Sequence, residues 1–423
     1  MKLFRPIIAT LCLAAGLAAA KPPPSRTDGV KETLHGVEIV DQYRWLEGEN
    51  SNPAAMGKVT PEVAAWTDAQ NAYTRQMLDN LPGRKQIEQK LQPLMEVGSV
   101  SAPRMRGDRY FYSKREGTQN QPVVFLREGY KGEPRVLLDP AKIDPTGLTT
   151  ISWYSPSKDG KRLAYGLYRS GDENSTLHLM EVDSGTKAPL IVTGKVGGCD
   201  WLPDGSGFVY RNLADTANPY SGQVRFARFE PGTSFLASDT LLMRQWTTSE
   251  NAKLATTYGP NGGLSEDGKW LVLSYATGTR NNDLWVASSD EFFKTGKVAK
   301  RDIVVGKEAQ SGGPVVGDTL FMLTTLDAPN GRVVAVDLNH PEASNWKVLV
   351  PEQKDAVIEN VSAAKGILAV EYLKNASSTI GLIDYSGKSL GELKLPGLGS
   401  AGLATDEDRT EACLLYTSPS PRD

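Results

Sequence analysis

Between residues 105 and 373 short apolar runs alternate with tight polar turns, and one unit recurs. Its copies read "MRGDRYFYSKRE" (105–116), "SPSKDGKRLAYGLY" (155–168) and "WLPDGSGFVYRN" (201–212). They continue as "LSEDGKWLVLSY" (264–275), "PVVGDTLFMLTT" (314–325) and "SAAKGILAVEYL" (362–373). Asp-Gly and Gly-Asp are hairpin chemistry, because glycine reaches positive φ without steric cost and aspartate tolerates it. A second apolar strand follows each turn strand, as in "TLHLMEV", "NDLWVAS" and "RVVAVDL", and often a third, as in "PLIVTG". The turns fall at Gly107, Asp159, Asp204, Asp267, Gly317 and Lys365, about fifty residues apart, which predicts a β-propeller. Stacked sandwiches also have short strands and regular turns, but six like-spaced copies argue for radial repetition. "GLATDEDRTEACLLY" (402–416) reads as one more turn and strand, so the expectation is a mainly β fold, a seven-bladed propeller with its seventh blade cut short.

Residues 60–95 follow a different period. Thr60 caps and Pro61 opens a predicted helix, with Trp66, Tyr73, Met77 and Leu81 on one face. Pro82-Gly83 ends it, and "RKQIEQKLQPLM" predicts a second helix with Ile87, Leu91 and Leu94 turned inward. Such a helical preface does not fit as a blade, and the sequence offers no other helical layer to receive its apolar stripe.

The first twenty residues change the picture again. Lys2 and Arg5 precede an apolar stretch from Ile7 to Leu17 and the small residues Ala18-Ala19-Ala20. That is the layout of a secretory signal cleaved after Ala20, and its apolar run is too short to span a membrane comfortably. The expected organisation is therefore a signal peptide (1–20), a helical segment (21–95), a propeller (96–412) and a non-native tail (413–423). The protein is expected in a periplasm or secreted. Export permits disulfides, yet only Cys199 and Cys413 follow the signal, too few for a disulfide framework. With 23% charged residues and a formal net charge of −3, the chain gives no electrostatic case for nucleic acid or an anionic membrane surface.

Candidate chemistry is sparse. The nearest approach to a Gly-x-Ser-x-Gly nucleophile elbow is "LGSAG" (398–402), where Leu398 holds the first glycine position and the surroundings read as an inter-blade loop around Ser400. The histidines are His35, His178 and His340. His178 lies in a strand and His340 in a blade loop after Asp337, so both read as blade histidines rather than catalytic bases. Neither a metal-binding spacing nor a phosphate-cradling glycine loop occurs, and no metal or cofactor is expected.

Several segments resemble the start of the prolyl oligopeptidases. They are "DQYRWLE" (41–47), "AAWTDAQNAYT" (64–74), "GDRYFYSKREGTQNQPVVFLRE" (107–128), "RVLLDP" (135–140), "SKDGKRLAYGLYRSGDENSTLHLMEVDSG" (157–185), "WLPDGSGFVY" (201–210) and "DAPNGRVVAVDL" (327–338). The similarity runs from about Thr27 to about Ala412, in the family's order. The resemblance implies a serine peptidase in which the N-terminal segment joins a C-terminal α/β-hydrolase domain, while a seven-bladed propeller covers the active site and admits peptides. It implies that the catalytic serine, aspartate and histidine lie beyond these residues, so this chain by itself is expected to be inactive. Proline-containing oligopeptides are the implied substrates and a monomer the implied state. A sister oligopeptidase cleaving after basic residues and a stand-alone, non-catalytic propeller remain as alternatives. The resemblance also places "YATGTRNNDLWV" (275–286) at a loop facing the central cavity. There Ala276 and Thr279 stand where some members carry an arginine and a cysteine, and Arg280 is adjacent. Cys199 falls near another substrate-approaching loop. Cys199, Thr279 and Arg280 are thus the candidate substrate-facing residues.

Overall fold

The computed structural model describes residues 21–49, 58–230, 233 and 235–417. The expected signal peptide lies outside them. The chain divides into two compact units, one reaching Glu96 and one starting at Val97.

The first unit holds a hairpin, Val30–Leu34 with Val37–Asp41, and two helices, Pro61–Asp79 and Arg84–Met95. Thr60 caps the first helix, its hydroxyl accepting the Val63 N–H at 3.2 Å, and Pro61 follows as its missing N–H allows. Gly83, at φ +87°, turns the chain into the second helix. Trp45 and Trp66 meet edge to face at 6.1 Å between centroids. The Arg26 guanidinium lies over Trp45 at 4.9 Å. Both indoles are tied to the segment before the hairpin, Trp45 to the Arg26 carbonyl and Trp66 to the Ser25 hydroxyl. The predicted inward face of the second helix is not buried: Ile87, Leu91 and Leu94 are all exposed. Periodicity identified the helix and its apolar stripe correctly, but burial of a stripe needs a receiving layer.

The second unit is a β-propeller. Four antiparallel strands recur in order, as in Thr149–Pro156, Arg162–Arg169, Thr176–Glu181 and Lys187–Val192. The described residues form six such blades, and the repeat after them, Ser400–Ala404 with Cys413–Thr417, is a two-stranded hairpin rather than a blade. Ser400 accordingly starts a strand instead of sitting in an inter-blade loop. All six predicted turns join an inner strand, in places only two or three residues long, to the long strand that pairs with it, for example 157–161 between Thr149–Pro156 and Arg162–Arg169.

The core is distributed between the blades rather than gathered in one place. Phe111, Leu126, Leu163 and Tyr165 fill the first interface. Leu179, Trp201, Phe208 and Phe229 fill the second. Val224, Phe226, Leu273 and Trp285 pack in the third, Trp270, Val286, Leu320 and Val334 in the fourth. Phe321, Val333, Leu368 and Val370 pack in the fifth. Each blade shows one face to the previous blade and the other to the next, which is why many strands read as near-continuous apolar runs. The innermost strands therefore line an axis and leave loops at one end and hairpin turns at the other.

Candidate functional site: a recess at the loop end

A recess of ≈ 1050 Å³ opens among the loops of the fourth, fifth and sixth blades. Thr279 and Arg280 both line it, exposed on the turn between Trp270–Ala276 and Asn282–Ser288. That turn closes on itself through the Thr277 N–H to the Asn281 carbonyl at 2.9 Å. Asn282 then locks the fourth blade to the fifth: its Oδ1 accepts the Ser311 N–H at 2.8 Å and its Nδ2 donates to the Ser311 carbonyl at 3.0 Å. On the next wall the Asn330 side chain donates to the Gln353 carbonyl at 2.9 Å, while its own carbonyl accepts the Ile358 N–H at 2.9 Å. The walls are thus fixed by satisfied amides, and Arg280, Glu308 and Glu359 supply the charge around a largely neutral polar surface. Neutral amides and hydroxyls in a broad recess suit a peptide backbone better than a strongly charged ligand.

Cys199 stands elsewhere. It is buried in the interface between the second and third blades, where burial pushes its thiol above the ordinary range. The structure therefore brings Thr279 and Arg280 together and leaves Cys199 apart. The histidines do not gather either. His178 stacks on Tyr165 at 5.5 Å, with burial holding its pKa below the ordinary value, and exposed His340 meets Asp337 at 3.2 Å. Among the described residues no Ser–His or Cys–His hydrogen bond is present, and no group of three or more His, Cys, Asp or Glu is placed to hold a metal.

The hairpin-turn end carries a charge cluster that no single repeat announces. Arg106 of the first blade pairs with Asp406 at 3.2 Å, and Lys158 of the second blade pairs with Glu266 of the fourth. Burial pushes Lys158 down to about 8, reinforced by Arg106. It pushes Glu407 up to about 7, with Lys158 opposing and Asp408, Asp267 and Asp406 adding to the rise. Asp200, on the innermost strand of the third blade, keeps exposed surface, yet the protein crowded around its carboxyl raises it too, against the Leu264 N–H and the charges of Arg104, Lys158 and Arg106. Local sequence shows these only as turn and strand-end charges; the ring makes them neighbours.

Comparison with known proteins agrees with this architecture. Residues 22–420 match the family model described as the prolyl oligopeptidase N-terminal beta-propeller domain. The prolyl endopeptidase of Elizabethkingia miricola is 28% identical over 94% of this chain and 54% of its own length. The dual function macrocyclase-peptidase POPB of Amanita bisporigera is 27% identical over 94% of this chain and 56% of its own. A structure solved in a mechanistic study of two prolyl endopeptidases superposes with a TM-score of 0.82 at 31% identity, covering 94% of this chain and 56% of that one. The chain thus spans about half the length of the curated relatives it matches. A repeated four-stranded blade, a helical preface of separate pattern and a match over nearly the whole length have one common source: this chain belongs to the prolyl oligopeptidase family and carries its N-terminal propeller domain.

Proposed function

We propose that this chain is the propeller part of an exported, proline-specific serine oligopeptidase. The observation that carries the reading is the family match over residues 22–420, joined to relatives named prolyl endopeptidases of about twice the length. In this reading further chain supplies a hydrolase domain whose serine attacks the peptide carbonyl, with a histidine as general base oriented by an aspartate. Short proline-containing peptides are the substrates, and the rigid propeller restricts which of them reach the serine. Thr279 and Arg280 face the peptide from the loop-end recess. Further chain also completes a seventh blade. The hairpin Ser400–Ala404/Cys413–Thr417 offers the outer edge of its second strand to another strand. An apolar groove lined by Val100, Pro103, Met105, Tyr130 and Leu415 lies beside that hairpin. The signal-like first twenty residues support export, to a periplasm or out of the cell.

The test is to express the source gene's whole reading frame and, separately, this chain, and to assay a fluorogenic Gly-Pro substrate. The whole protein should turn it over in a manner blocked by a serine-directed inhibitor, while the 423-residue chain should not. A stop codon near residue 423 in the source genome, or a whole protein silent on proline peptides, would overturn the proposal.

A further inference from the structure

Exposed aromatic side chains are unevenly spread over the propeller. Of the six among the described residues, Tyr220, Trp246 and Tyr258 lie in adjoining loop-end segments of the third and fourth blades, 45%, 40% and 77% exposed. Tyr220 and Trp246 share the wall of a ≈ 470 Å³ pocket with Gln245, Thr247 and Ala255. Tyr258 stands on the wall of the larger recess that holds Thr279 and Arg280. The three rings thus lead from the recess to the neighbouring pocket.

The segment that presents Trp246 and Tyr258 is built to hold them. Gln245 Nε2 donates to the Leu254, Ala255 and Thr257 carbonyls at 3.4, 3.2 and 3.1 Å, folding residues 246–257 into a closed loop. The Trp246 N–H donates to the Tyr275 hydroxyl at 3.0 Å, and that hydroxyl donates to the Leu254 carbonyl at 2.9 Å. Arg211 donates to the Tyr258 carbonyl at 3.1 Å and the Pro260 carbonyl at 2.9 Å, fixing the far end. Large apolar rings left in water on a loop this heavily tied are not an accident of disorder. Holding them in place in advance lowers the entropy a ligand must give up to bind.

The chemistry narrows the ligand. Arg244, the charge in the pocket wall, is already paired to Glu250 at 2.8 Å, so the pocket has no free charge for an anion. What it offers is ring faces, hydroxyls and side-chain amides. Flat ring faces with no free charge beside them fit an uncharged, extended chain whose proline rings pack on aromatics.

From this we infer that Tyr258, Trp246 and Tyr220 form an aromatic track that binds the extended, proline-containing part of a peptide remote from the bond to be cleaved. The inference rests on the peptidase reading above for its choice of ligand. It adds a subsite that extends recognition beyond the recess.

Binding is measured on the 423-residue chain by calorimetric titration with an alternating Ala-Pro peptide, which requires no turnover. Wild type should bind it, and both W246A and Y220A should weaken binding about ten-fold or more, as for anchor residues. Their circular dichroism and melting temperature should stay unchanged. A peptide with alanine at every proline should bind about ten-fold more weakly than the parent. Wild-type affinity in both variants, indifference to proline, or no binding by wild type would each overturn the inference. Absence of hydrolysis by the longer protein would instead sink the functional reading, so the two failures are read in separate experiments.

Discussion

Single residues decide how the loop end is held. Gly259 sits at φ +72°, and a Cβ built there would stand 1.6 Å from Gln245 Oε1. Both backbone and space therefore demand glycine where the loop closed by Gln245 meets the fourth blade. Gly259→Ala should cost about 2–4 kcal/mol, since the strained φ and the displaced amide add. Chemical denaturation checks this, and the variant should also weaken Ala-Pro peptide binding if Gln245 organises the aromatic track. An alanine variant as stable as wild type would mean that Gln245 moves aside freely and holds nothing. Cys199 illustrates the opposite case, a residue whose type suggests chemistry but whose place in a packed interface gives it a structural role.

Among elements, the hairpin turns of the second and fourth blades share one hydrogen-bond design. In the second blade the Ser157 hydroxyl donates to Asp159 Oδ1 at 2.7 Å and accepts the Arg162 N–H at 3.0 Å. In the fourth the Ser265 hydroxyl donates to Asp267 Oδ1 at 2.6 Å and accepts the Trp270 N–H at 3.0 Å. Against the opposing pull of burial, these hydroxyls and the Lys161 and Lys269 N–H groups hold both carboxyls below their ordinary range. A lowered folded pKa means stability present above the unfolded value and lost as pH falls through the folded one. Ser265→Ala should cost about 1–2 kcal/mol at neutral pH by orphaning the buried Trp270 N–H. Urea titrations of wild type and variant should show that gap shrinking below about pH 4, where the unfolded carboxyl protonates. A pH-independent gap would place the cost in packing instead. At the same scale the exposed Ile87, Leu91 and Leu94 show an element formed by local preference, its apolar stripe unburied within its own unit.

For the whole molecule, closure of the ring concentrates charge. Arg409 reaches the first blade, donating to the Tyr110 hydroxyl at 2.9 Å and to the Gly107 carbonyl, while its own carbonyl accepts the Lys365 N–H of the sixth at 2.8 Å. Beside it Glu407 is pushed up to about 7 from an ordinary 4.5, chiefly by burial. A raised folded pKa gives stability that is complete below 4.5 and is lost as pH rises through about 7. Glu407→Gln should therefore raise the melting temperature at pH 8, by less than about 1 kcal/mol of stability after solvent screening, and make no difference near pH 4. Lys158, pushed down to about 8, acts in the opposite direction, adding stability as pH rises above that value. Equal pH profiles for Glu407→Gln and wild type would show that the carboxyl is free in solvent.

The sequence by itself determined the blades. Short apolar runs and the turns at Gly107, Asp159, Asp204, Asp267, Gly317 and Lys365 are local chemistry, so each appears where it was expected. Thr60, Pro61 and Gly83 marked the helices for the same reason. Thr279 and Arg280 were candidates because a loop resembling the family's carried them, and the structure shows that both line one recess. Tertiary structure alone decided the rest. Trp246 and Tyr258 belong to a connection with no strand pattern, and their exposure follows from the clasp at Gln245. The cluster of Arg106, Lys158, Asp200, Glu266 and Glu407 draws on separate repeats scattered along the chain. A circular arrangement makes neighbours of residues three hundred positions apart, as Arg106 and Asp406 show. No period or motif encodes that proximity, because it arises from closing the ring.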